Sequence, residues 1–183
     1  MKSEFEEHPE IDSTLQKYLG SDKYRYRTKT LPNGLTKHLL MERKYGEFWL
    51  KETLDDDEME SLDPEKVATF LVHKLLLGRA RTLAVIALFV VVFSVPIFLT
   101  FTLGVNIIED FQMLFYGATI PIFCVVAFAL MWTADRSVDN RVYAACPNLI
   151  SVLHKMKEFR EDPYQKWWIE RRIKRLQDND SSS

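Results

Sequence analysis

Most of the residues on which chemistry is usually built are scarce in this chain. It has 2 cysteines, 4 histidines and 6 glycines in 183 residues. Cys124 and Cys146 belong to no CxxC or Cys/His cluster, which removes a structural zinc site. One lies inside an apolar run and the other beyond it, which disfavours a disulfide. His8, His38, His73 and His154 are scattered, none at a motif spacing from a Ser, Cys or carboxylate. The dispersed glycines make no phosphate-cradling loop. No catalytic residue, cofactor-binding residue or metal ligand is assigned, and no cofactor is expected. The formal net charge of -2 disfavours holding nucleic acid by bulk electrostatics, so no nucleic-acid partner is expected. The start of the chain is acidic and lacks the basic and apolar regions of a secretory signal, and Lys2 excludes N-myristoylation.

What is present is charge that has been segregated. A mean hydropathy of -0.14 and a charged fraction of 27% describe a polar protein. Yet between Thr82 and Ala134 the only ionisable acids or bases are Glu109 and Asp110. The two uncharged runs on either side of that acidic pair are each longer than the ~20 residues that suffice to cross a bilayer. The expected fold class is therefore an all-α membrane protein, a two-helix transmembrane hairpin over residues 82–134 (about 82–105 and 111–134). Cytosolic juxtamembrane helices are expected beside it. Lys74, Arg79 and Arg81 precede the first run, Arg136 and Arg141 follow the second, and the connecting turn carries no Lys or Arg. By that asymmetry both termini are expected on the cytosolic side of an integral membrane protein, with a eukaryotic endomembrane favoured and lipid as a partner. Pro96 and Pro121 favour kinks in the two helices. Both runs lack intramembrane ionisable groups, which counts against ion-coupled transport.

The flanking segments carry the remaining expectations. Residues 1–62 read as a polar, acidic, partly disordered tail. Within them Lys23 to Lys29 alternates basic residues with Tyr and Thr as a strand does, and Pro32-Asn33-Gly34 signals a turn. Leu35 to Leu54 can be helical, with Leu39, Leu40, Phe48 and Trp49 as its apolar content. Residues 63–81 read as a helix that starts at Asp63-Pro64-Glu65, with Asp63 as N-cap and Ala68, Leu71, Val72, Leu75 and Leu76 on its apolar face. In residues 135–160, Val138, Val142, Ala145, Leu149, Val152, Met156 and Phe159 recur at alternating spacings of four and three, a heptad seam that needs a partner. The helix from Pro64 is favoured as that partner over self-association, because Pro147 interrupts the run. Residues 161–183 form a basic tail. There Trp167 and Trp168 stand with Lys166, Arg171, Arg172, Lys174 and Arg175, a combination suited to contact with anionic lipid or with a protein. Ile169, Ile173 and Leu176 share a stripe from which the two tryptophans point away.

From Arg81 to Leu153 the chain resembles the membrane part of a large, functionally uncharacterised family of fungal proteins. The resemblance is carried by Val95-Pro96, Thr133-Ala134, Arg136 and Tyr143-Ala144-Ala145, and it implies a membrane protein of unknown role. A hairpin flanked by helices also resembles the pore subunit of the mitochondrial calcium uniporter, but the Trp-Asp-x-x-Glu-Pro signature of that family is absent around Glu109-Asp110. The function expected first is non-enzymatic: an anchored adaptor, organiser or accessory subunit whose helices bind a protein partner or self-associate. An oligomeric channel subunit with Glu109 and Asp110 at its mouth, and a membrane-bound enzyme, are the alternatives.

Overall fold

The computed structural model describes residues 5–54, 59, 62–103 and 112–180, with side chains through Val90, at Ser94 and again from Phe123 onward. The chain divides into two compact units, one made of Met1–Lys74 with Asp139–Ser183 and the other of Leu75–Val138.

The first unit contains an antiparallel sheet in the order β1-β2-β3-β4, built from β1 (Glu6–Glu7), β2 (Tyr24–Thr30), β3 (Thr36–Lys44) and β4 (Glu47–Leu54). The alternation in β2 sorts its side chains by face. Tyr24, Tyr26 and Thr28 are buried, whereas Arg25, Arg27 and Lys29 are half-buried. Across the ladder the buried three face Glu42, Leu40 and His38 of β3, all buried as well. Helix α1 (Pro9–Leu19) buries Ile11, Asp12 and Leu15. Because β1 pairs only with Arg27 and Thr28, part of the outer edge of β2 lacks a strand partner. Asp12 fills that gap: Oδ1 accepts the Tyr26 backbone N–H at 2.8 Å, and Oδ2 accepts from Arg27 Nη1 at 2.7 Å.

The sheet overturns the all-α expectation, and the stretch from Leu35 to Leu54 is two strands rather than a helix. The turn at Pro32-Asn33-Gly34 forms as expected, with Gly34 at φ +83° donating to the Leu31 carbonyl at 2.9 Å. The second hairpin turns through Tyr45 and Gly46, whose φ values of +53° and +89° give the two positive dihedrals that match the twist of the flanking strands. A β-bulge between β3 and β4 sets Leu40 opposite Glu52 and Met41 opposite Leu50, leaving Lys51 as the extra residue. The bulge lets Lys51 reach Glu42 at 3.6 Å, while its neighbour Glu52 pairs with Lys74 at 2.6 Å.

Four further segments are joined end to end by short breaks or by segments outside the described residues: α2 (Pro64–Leu103), α3 (Gln112–Ala145), α4 (Leu149–Phe159) and α5 (Pro163–Asp180). Asp63 caps α2, accepting the Lys66 N–H at 2.9 Å. Within the first unit α2 buries Val67, Ala68, Phe70, Leu71 and Val72, each worth roughly 1–3 kcal/mol where the side chain is fully enclosed. In the second unit Arg81 makes a bidentate pair with Asp135, at 2.9 and 2.7 Å. Leu88 is buried there, and Leu83, Val85, Ile86, Phe89, Val90, Val125 and Phe128 are exposed.

Among the described residues no helix is long and apolar enough to cross a membrane. The first turns of α2 carry Glu65, Lys66, His73, Lys74, Arg79 and Arg81, and the last turns of α3 carry Asp135, Arg136, Asp139 and Arg141. The transmembrane hairpin over residues 82–134, its integral-membrane location and the cytosolic orientation of both ends, which rested on that hairpin, are corrected accordingly. Glu109 and Asp110, and with them the expected turn, lie outside the described residues. The heptad run is also divided. Helix α3 ends at Ala145 and α4 begins at Leu149, because Pro147 cannot continue an α-helical hydrogen-bond ladder, so residues 135–160 form no single coiled-coil helix.

Candidate interaction site

The basic C-terminal tail forms α5, and its residues separate by helical phase. Ile169, Arg172, Ile173 and Leu176 are buried. Tyr164, Trp167, Arg171 and Lys174 recur at spacings of three, four and three on another stripe, and all four are exposed. Lys166, Trp168 and Arg175 are half-buried between these stripes. The structure therefore divides the seven basic and aromatic residues picked out in the sequence. Arg172 and Arg175 serve the interior, whereas Trp167, Arg171 and Lys174 face out.

The inward half meets a buried carboxylate. Asp139 on α3 is fully buried and receives Arg172 Nε on Oδ2 at 2.8 Å and Arg172 Nη2 on Oδ1. Arg175 Nη2 donates to Oδ2 at 2.5 Å. His73 on α2 places Nε2 at 3.0 Å from Oδ1 of Asp139 and at 2.5 Å from Nη2 of Arg172. A single tautomer of the neutral ring cannot satisfy both contacts. Nε2 either donates to the carboxylate or accepts from the guanidinium, so one ring proton decides which bond is made. Burial alone pushes the Asp139 carboxyl up, but hydrogen bonds from Arg172 and His73 and their charges outweigh it, and the group is held down at about 2. Asp139 stays ionised and clamps α5 through two arginines.

Other contacts fix the same helix. Lys157 of α4 pairs with Glu170 at 3.2 Å, and Tyr143 of α3 donates to Asp180 at 2.9 Å, which raises the Tyr143 hydroxyl pKa. Of the seam residues, Val138, Val142, Leu149 and Val152 are buried, Met156 is half-buried, and Ala145 and Phe159 are exposed. Beside the seam, Thr69 of α2 donates to Asn148 at 2.7 Å.

On the outward half the aromatic rings lie together. Tyr164, Trp167 and Trp168 cluster with ring centroids 5.9 to 6.2 Å apart. Arg171 lies over the Trp167 ring at 4.8 Å from its centroid, a cation–π pair that holds the guanidinium in a defined orientation. Sequence reasoning missed His73 and Asp139. Histidine and aspartate far apart in the chain leave no motif, but Arg172 at the spacing of Ile169, Ile173 and Leu176 was a usable signal, because an arginine on an apolar stripe demands a buried acid. It missed likewise the Tyr26–His38 and Tyr24–Glu42 contacts on the buried sheet face, the second with the hydroxyl 3.4 Å from the carboxylate. No group of three or more His, Cys, Asp or Glu that could hold a metal ion occurs among the described residues. Comparison with protein-family models, curated proteins and solved structures finds no match.

Proposed function

We propose that the chain is a non-enzymatic interaction protein, an adaptor, organiser or accessory subunit, which grips an acidic protein segment through the outer stripe of α5. The observation that carries this reading is the division of one short helix into an anchored inner stripe and an outer stripe of Tyr164, Trp167, Arg171 and Lys174. Trp, Tyr and Arg are the residues that most often dominate binding energy at protein interfaces. Here they are exposed on a helix whose position is set by Asp139, so little ordering cost remains to be met on binding. Arg171 and Lys174 select for carboxylates, and the aromatic group favours an apolar or aromatic residue between them.

The test is proximity labelling from the intact chain compared with a Trp167→Ala/Arg171→Ala variant whose helical content is unchanged. A discrete set of neighbours present with the parent and lost with the variant is expected. Identical neighbour sets would overturn the reading. Salt-sensitive retention on phosphatidylserine vesicles by the parent alone, without loss of any protein neighbour in the variant, would reassign the stripe to lipid.

A further inference from the structure

Strand β4 ends the sheet, so one of its edges presents backbone N–H and C=O groups with no strand beside them among the described residues. Its first five residues are all exposed, and three of them are large and apolar: Phe48, Trp49 at 55% and Leu50 at 57% exposure. Monomeric proteins usually blunt such an edge with proline, charge, a bulge or a cover. Here such devices on the outer stretch are the charges of Glu47 and Lys51 and the bulge at Lys51, and from Glu47 to Leu50 the strand pairs regularly with β3.

The sequence of this edge is complementary to itself. Laid antiparallel against a second copy about Trp49, Glu47 falls opposite Lys51, Phe48 opposite Leu50 and Trp49 opposite Trp49. Every charge meets its opposite and every apolar side chain meets an apolar one. Trp49 and Glu42 are cross-strand neighbours, which puts Glu47, Trp49 and Lys51 on the Glu42 face, and Phe48 and Leu50 on the face where Arg25 lies over the Phe48 ring at 5.4 Å. Registers shifted by one residue flip the faces and lose the charge match, one bringing Glu47 against Leu50 and the other Phe48 against Lys51.

We propose that β4 is the contact edge of a symmetric homodimer, in which two copies of this chain join their sheets antiparallel through Glu47 to Lys51 with the two-fold axis at Trp49. The interface is isologous: each Glu47–Lys51 pair occurs twice, once on either side of the axis. A ribbon of this length lies at the small end of specific interfaces, so the dimer exchanges with monomer instead of being permanent.

Light scattering and sedimentation of the purified full-length chain over a concentration series test this directly. The parent is expected to shift from monomer to dimer. Glu47→Lys sets like charges opposite each other at two symmetric positions and is expected to weaken the dimer about tenfold. Lys51→Glu does the same, and the double variant Glu47→Lys/Lys51→Glu restores parent behaviour. Far-UV circular dichroism checks that each variant keeps the sheet, because Lys51 also lies 3.6 Å from Glu42 in its own chain. In a Cys124→Ser background, Trp49→Cys is expected to form an intermolecular disulfide on mild oxidation, since facing residues at the axis stand about 4.5–5.5 Å apart at Cα. A chain that stays monomeric throughout would overturn the proposal. So would a dimer indifferent to the charge swaps, or one whose Trp49→Cys form does not cross-link.

Discussion

Asp135 and Asp139 lie on the same helix, and both are almost completely buried, yet they belong to different units and keep different company. Asp135 in the second unit is paired with Arg81, whose side chain is 40% exposed. Asp139 in the first unit is enclosed by Arg172, Arg175 and His73, with side-chain exposures of 4%, 14% and 2%. A guanidinium that reaches water can turn outward if its carboxylate is removed, whereas an enclosed one cannot. The difference shows that the value of an ion pair depends less on its distances, which are similar here, than on whether either partner has an alternative.

The largest break in that contrast is Arg172→Met. It leaves Asp139 buried with half of its compensation gone and is expected to cost about 3–5 kcal/mol in thermal or chemical unfolding. The paired replacement Asp139→Leu/Arg172→Met removes the carboxylate and one arginine but also takes the Asp139 acceptor from Arg175, which is only 14% exposed, so it is expected to regain only part of that loss. Acid comes next. The folded-state pKa of Asp139, about 2, lies below the ordinary 3.8, so its stabilisation is fully present above about pH 4 and is lost as the pH falls through about 2. The shift corresponds to about 2 kcal/mol, measurable as a fall in Tm over that window that Asp139→Asn does not show.

Asp135→Asn is expected to cost only about 1 kcal/mol, because the amide keeps one hydrogen bond to Arg81 and the guanidinium can find water. A cost equal to that of Arg172→Met would erase the distinction drawn between the two aspartates. Tyr143→Phe sharpens the lower end of the scale. Its hydroxyl bonds Asp180 at the exposed end of α5, and the substitution is expected to leave the unfolding midpoint unchanged within error.

The same reasoning explains what could be read from the residues. The start of α2 at Asp63-Pro64, the alternation of β2, the turn at Gly34 and the inner stripe of Ile169, Ile173 and Leu176 were legible, because each is a local pattern with a local cause. Strands β3 and β4 were not. Strand β4 is exposed from Glu47 to Lys51 and shows no inside–outside alternation, the bulge at Lys51 breaks its period, and Tyr45-Gly46 is a weaker hairpin signal than Asn-Gly. Leu39 and Leu40 in sequence looked like part of a helical face, but both are buried on opposite sides of a strand. The expected membrane hairpin rested on the absence of charge between Thr82 and Ala134, but among the described residues no helix is long and apolar enough to cross a membrane. In the interaction site the outer aromatic and basic residues were visible as composition. Their division from Arg172 and Arg175 was not, because it depends on Asp139, an acid that lies beside the heptad seam without belonging to it.

The sequence distances within the charged cluster also set an order of events during synthesis. The strands pair with near neighbours and can close as soon as about fifty residues have emerged, but His73 and Asp139 are 66 positions apart and His73 and Arg172 are 99. Asp139 must therefore leave the ribosome some thirty residues ahead of the first arginine that neutralises it. Until then the nascent chain carries a carboxylate that favours hydration over packing, so the helices cannot consolidate early. Helix α5, made after α2, α3 and α4, is the one whose arginines let the helical part of the first unit close.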